Sequence, residues 1–233
     1  MPGPAVFKRV DESAMILEYL GNTGFFLDIG ANDPRIGSQS YALEQAGWSG
    51  ICVEPQPKYA ERLRKERSAI VVQRACGGIE TAGKKLTLYA LDSNAALIPE
   101  RVLYSNTADI QETVEVELDT VDNILAGHNV TTLDFVSIDV EGYETEVLSG
   151  FSLHKWKPRL VFIEDHLYDH AVHRHVTGLG FKLVRRTELN MWYVPNVAAF
   201  PVSMYGKWQL FRKLYLSHPF RLARRFAKRH LRK

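Results

Sequence analysis

Residues 26–40 read FLDIGANDPRIGSQS, and this stretch decides the fold. An apolar run ends in Asp28 and opens directly into a loop that begins with Gly30. Open parallel sheets bind ligands in the crevice beyond their strand ends. There a glycine lets backbone approach the ligand, and an acid accepts hydrogen bonds from a cationic amino group. Working outward, residues 50–55 (GICVEP) form a second short apolar run that ends in Glu54, 24 residues after Gly30. An acid at that place can accept both hydroxyls of a ribose. The loop GANDPRIG has Asn32 where a pyrophosphate-cradling G-x-G-x-x-G needs its second glycine, which argues against a dinucleotide. Without a cofactor, Asp28 and Glu54 would read as helix caps at strand ends.

Further runs of strand length fall at residues 70–73, Phe135–Ile138 and 160–163, and helical stretches alternate with them near 39–46, 58–66, 143–149 and 170–179. Gly150 and Gly180 follow the last two as stop signals. Such alternation predicts an α/β fold, a mostly parallel sheet with helices on both faces. Residues 84–91 and 113–118 alternate polar and apolar side chains and read as extra half-exposed strands around a loop near 93–106. FKLVRR (181–186) and NMWYVP (Asn190–Pro195) form a terminal hairpin, so the sheet is expected to end antiparallel, with seven strands in all.

At 233 residues and 45% hydrophobic composition, the chain supports one substantial core plus a tail. The expected division is a domain over residues 1–200 and a basic amphipathic tail over 201–233. Cys52 and Cys76 show no C-x-x-C pairing and read as reduced thiols. No run of eighteen apolar residues exists and MPGPAVFKRVDESAM lacks a signal-peptide core, so a cytoplasmic protein that does not span the membrane is expected. The net charge of +2 hides an asymmetry. Ten of the 29 Lys and Arg lie after Glu188 with no acid among them, leaving 19 basic against 27 acidic side chains, net −8, in residues 1–188.

Two segments concentrate chemistry. LDFVSIDVEGYETEVLSGF (133–151) sets Asp139 and Glu141 past a strand end, with Gly142 turning the chain into a helix, and LVFIEDH (160–166) does the same with Glu164, Asp165 and His166. Strand ends that face one crevice gather these groups beside Asp28 and Glu54. LDIGAN, GWSGICVEPQP, DFVSIDVEGYETEVLSGF, VFIEDH and NMWYVP, in this order, resemble the FkbM family of methyltransferases over roughly residues 24–195. The I-D-V-E-G-x-E stretch with its following L-x-G is the most specific part. Pro34 and Arg35 depart from it, standing where the family often has a small, glycine-containing stretch.

The resemblance implies a Rossmann-like class I fold, S-adenosylmethionine as cofactor, and methyl transfer to a hydroxyl of a saccharide, glycolipid or related secondary metabolite. Asp28, Gly30, Asn32, Glu54, Pro55 and Asp139 are then the expected cofactor-binding residues, and Asp139, His166 and Glu141 the expected catalytic ones. A hydroxyl acceptor must be held in line with the methyl and lose its proton. His166 suits the base by its ordinary pKa, with Asp139 accepting the proton or orienting the ring. A divalent cation on Asp139, Glu141 or Glu164 would instead acidify the hydroxyl by coordination. His170, His173 and His175 give only a weak metal signal.

Rival readings are a cofactor-binding scaffold that keeps the fold without turnover, and a nicotinamide-dependent oxidoreductase, which the absent glycine motif disfavours. Nucleic acid is disfavoured by the acidic core and the lack of an N-P-P-Y-like tetrad. In the tail, Pro219 divides two halves. On a helical wheel from Phe220 at about 100° per residue, Arg221, Arg224, Arg225, Lys228, Arg229 and Arg232 fall within roughly 40° to 180°. Phe220, Leu222, Ala223, Phe226, Ala227 and Leu231 fall on the other side, a pattern that suits peripheral contact with an anionic membrane. Trp208, Phe211 and Tyr215 would extend the apolar face or pack on the domain as core.

Overall fold

A computed structural model describes residues 11–91, 94–97, 110, 112–167 and 170–230. In chain order the strands are β1 (Phe25–Ile29), β2 (Ser49–Val53), β3 (Ile70–Val72), β4 (Ala75–Cys76), β5 (Lys85–Leu91), β6 (Asn94–Ala96), β7 (Glu112–Asp119), β8 (Phe135–Ile138), β9 (Leu160–Glu164), β10 (Phe181–Thr187) and β11 (Asn190–Pro195). The α-helices are α1 (Glu12–Leu20), α2 (Tyr41–Gln45), α3 (Pro57–Glu66), α4 (Val121–Gly127), α5 (Glu144–Ser149), α6 (Leu153–Trp156), α7 (Ala171–Gly178), α8 (Met204–Phe211) and α9 (His218–His230).

The main sheet has seven strands in the order β10-β11-β9-β8-β1-β2-β3. All neighbours pair in parallel except β11, which runs antiparallel to both β9 and β10. Strand order reverses at β1, with β2 on one side and β8 on the other, which opens a crevice at the carboxyl ends of these strands. Both faces are buried because the strands are nearly continuous apolar runs whose successive residues point to opposite faces. Leu27, Ile29, Ile51, Val53, Val136 and Ile138 pack with Val121 and Ile124 of α4 and Val147 of α5, while Phe26, Cys52, Phe135 and Phe162 pack with Ile16 of α1, Leu43 of α2 and Leu63 of α3.

The predicted half-exposed strands are present as β5 and β7, which pair antiparallel in a second sheet of order β4-β7-β5-β6. Of the loop expected near 93–106, residues 94–96 form β6 and most of the remainder lies outside the described residues. The terminal hairpin is tighter than its sequence reading, because Thr187 joins β10 and only Glu188 and Leu189 form the loop. Helices α1 and α4, not anticipated from sequence, are capped by side chains: Asp11 accepts from the Ala14 amide at 3.0 Å and Thr120 from that of Asn123 at 3.1 Å.

Gly150 acts differently from a left-handed stop. Its φ is −101°, and it is required because a Cβ there would lie 2.0 Å from the carbonyl oxygen of Gly77. In the tail, Pro219 is the second residue of α9 instead of a divider, and the break between helices falls at a π-helical turn over Arg212–Leu216.

Candidate active site

The crevice beyond β1, β2 and β8 opens to solvent and combines strand-end polar groups with an apolar floor, as small-molecule sites do. The turn after β1 shapes its centre. The amides of Gly30 and Ala31 both donate to the Val53 carbonyl, at 2.9 and 3.2 Å, tying this turn to the end of β2. Gly30 has φ +83°, and a Cβ on it would meet the Asp139 carbonyl oxygen at 1.8 Å, so neither conformation nor space admits a side chain.

Glu54 stands at the end of β2 with 3% of its surface exposed. Its two carboxylate oxygens accept from the backbone amides of Asn32 at 2.9 Å and Gln56 at 2.8 Å. Burial nevertheless dominates and pushes its carboxyl up to about 7. Asp28 is 4% exposed and accepts from Ser40 Oγ at 2.5 Å and from Ser137, its neighbour across the β1–β8 ladder. Burial raises its carboxyl, against the pull of these bonds and of Arg67. Arg67 is itself buried and fans its guanidinium to Glu44 Oε2 at 3.0 Å, Pro34 O at 3.2 Å, Ser38 Oγ at 3.3 Å and Ser40 Oγ at 3.1 Å. This network fixes the loop that carries Asp33 to Ser40, where the sequence lacks the usual glycines.

Asp139 and Glu141 follow β8 through a turn with left-handed φ at Glu141 (+53°) and Gly142 (+93°). Ligand atoms of Asp139, Glu141 and Glu164 lie within 4.8 Å of one another. Asp139 is open to solvent through the crevice while protein surrounds it on its other sides, so burial still raises its carboxyl. Three carboxyl groups this close do not all ionise without a cation between them. Glu164 is the member held protonated, by burial and then by the Asp139 charge, and it donates a hydrogen bond to Asp139. Burial and then Asp139 push Glu141 up to about 7.

The crevice thus brings together Asp28, Gly30, Asn32, Glu54, Pro55, Asp139 and Glu141. His166 is half-buried two residues beyond Glu164 and is not among the lining residues. Sequence reasoning missed several members of the lining. Arg74 follows β3 and could have been found by the same strand-end rule, and Ser137 by its place beside Asp28 in the ladder. The apolar floor of Cys76, Leu88, Ala95 and Leu97 comes from the second sheet and the residue after β6, which no local pattern announces.

The strand order, the single antiparallel strand and a crevice holding acids after β1, β2 and β8 define a Rossmann-like class I methyltransferase fold. The chain belongs to the methyltransferase FkbM domain family, whose model matches residues 28–183. Among solved structures it is similar to an FkbM methyltransferase from Methylobacillus flagellatus KT, with 12% identity and TM-score 0.48 over 74% of this chain and 44% of that one. It is also similar to monomeric WbdD, with 13% identity and TM-score 0.41 over 82% of this chain and 40% of that one. A TehB-like SAM-dependent methyltransferase from Corynebacterium glutamicum ATCC 13032 Kitasato matches with 11% identity and TM-score 0.43, over 79% of this chain and 86% of that one. The chain spans less than half the length of the first two. No curated protein matches.

Proposed function

We propose that the chain transfers a methyl group from S-adenosylmethionine to a hydroxyl of a saccharide, glycolipid or related secondary metabolite. The observation that carries this reading is one crevice joining a buried strand-end carboxylate, Glu54, to the acid cluster at Asp139. The residues present fit the cofactor. Glu54 keeps lone pairs on both oxygens for ribose hydroxyls after its two backbone bonds, and Leu88 and Leu97 offer an apolar surface to a purine face. The bare turn at Gly30 and the small side chain of Ala31 leave backbone at the crevice wall.

When bound, S-adenosylmethionine supplies an electrophilic methyl, so the protein's task is to orient the acceptor oxygen and remove its proton. Asp139 is the ionised member of its pair and faces the crevice, where it accepts that proton. The acceptor class rests on the family resemblance. A second reading has its own observation behind it: the carboxylates of Asp139, Glu141 and Glu164 lie close enough to hold one divalent cation, which would acidify the acceptor.

Calorimetry with S-adenosylmethionine tests the first step. The parent protein should bind, and Glu54→Ala should lose about ten- to a hundredfold in affinity, the share of a charged hydrogen-bond pair. Unchanged affinity in a folded variant removes Glu54 from the site. Transfer of labelled methyl to a panel of saccharides then separates an enzyme from a scaffold that only binds, and chelator treatment separates the two modes of activation.

A further inference from the structure

We propose that the outer face of α8, the π-helical turn and α9 is a docking surface for an anionic lipid bilayer. This inference concerns a surface apart from the crevice and does not rest on the methyl-transfer reading. Polar groups of α9 and the π-helical turn take part in attaching the tail to the domain. Arg221 donates from Nε to the Leu167 carbonyl and from Nη2 to that of Leu214, both at 3.3 Å, and the ring of His170 lies 3.1 Å from the same Leu214 oxygen. Leu214 alone among the tail's large apolar side chains enters the core, at 6% exposure among the described residues.

A helix that packs on its own domain buries its apolar arc and exposes its cations. Helix α9 leaves its apolar arc open, and Arg224 of the cationic arc is exposed beside it. Arg221, near the middle of the cationic arc at about 100° on the wheel, faces the domain. Phe220, Leu222 and Ala223, on the arc that runs from about 200° round to 20°, are exposed, Phe220 at 76%. The same holds upstream, where Trp208, Phe211, Tyr215 and Leu216 are each about half exposed. Arg212 lies over the Trp208 ring at 5.8 Å, so aromatic and cationic groups share that surface.

Charge selects the occupant. The segment after Glu188 holds ten cations and no acid, so a second copy docking through the same face would oppose like charges. A polyanion would leave the phenylalanine and leucine side chains without a role. A bilayer with anionic head groups accepts both, taking the apolar arc among acyl chains and the cations at head-group level. No helix of the described residues is long and apolar enough to cross a membrane, so the contact lies in the plane of the interface.

The test uses the full chain with vesicles of phosphatidylserine and phosphatidylcholine. The protein should co-sediment with them, weakly with phosphatidylcholine alone, and lose binding as salt shortens the Debye length below about 8 Å. Phe220→Glu with Leu222→Glu should weaken binding about tenfold or more while the melting temperature stays unchanged, because both side chains are exposed. Pelleting of this variant equal to the parent overturns the proposal. So does a vesicle-free dimer that the same variant dissolves without any vesicle binding, or binding only to duplex DNA that the variant leaves intact.

Discussion

Glu54 is held by two opposed effects: backbone amides from Asn32 and Gln56 favour its ionised form, and burial disfavours it. Burial wins, and the carboxyl moves from 4.5 to about 7. An acid raised in the fold binds a proton more tightly there than in the unfolded chain. Its contribution to stability is therefore present below about 4.5 and is lost as pH rises through about 7. Glu141 and Glu144, both pushed up to about 7, act in the same direction. For Glu54 the span is on the order of 3 kcal/mol. Urea unfolding of the unliganded protein at pH 5 and pH 7.5 should show this fall, and Glu54→Gln should flatten it; an identical slope in the variant would mean that Glu54 titrates normally. Gly30 has a constraint of a simpler kind. With φ +83° and a Cβ clash against Asp139, Gly30→Ala should cost about 2 kcal/mol or more, read as a drop in melting temperature.

At the scale of elements, the strands of the main sheet were legible because each is a short apolar run ended by an acid or a turn residue, as at Asp28 and Glu54. The hairpin at Phe181–Thr187 and Asn190–Pro195 was legible from its short connection. Helix α1 was not, since its apolar residues Ile16 and Leu20 gain their meaning only from Trp48 and the sheet face they cover. The site was half legible for the same reason. Strand-end acids are marked in sequence, but the Glu164–Asp139 proton and the Arg67 network depend on which strands and loops become neighbours. That proton makes a prediction about β8 and β9 together. Glu164→Gln keeps a neutral donor toward Asp139, so turnover should stay within about threefold of the parent, whereas Asp139→Asn should lose about 10²-fold or more. His166→Ala, assayed beside them from pH 6 to 9, should fall comparably if His166 is the base. A Glu164→Gln variant as inactive as Asp139→Asn would favour a cation held by all three carboxylates.

The whole molecule joins an acidic domain to a basic tail, and among the described residues of the tail Leu214 is the large apolar side chain buried in the core. Around it, the tail is fixed by backbone carbonyls of Leu167 and Leu214 and by the ring of His170, which also stacks near Tyr215 and His218 at 5.6 and 4.5 Å. Polar contacts of this kind set orientation more than stability, because each exchanges a bond to water for a bond to protein. The apolar anchor must then supply most of the attachment. Leu214→Ala removes a buried side chain from the core cluster that also holds Val172 and Val176 and should cost about 2–4 kcal/mol. For a chain of this size that is roughly 5–15 °C in melting temperature. Scanning calorimetry should show one transition, displaced as a whole, because the cavity opens in the core shared by α7 and the sheet. An unmoved main transition with a separate early loss of helix would mean that the tail folds apart from the domain, and that Leu214 holds the tail in place without supporting the core beneath it.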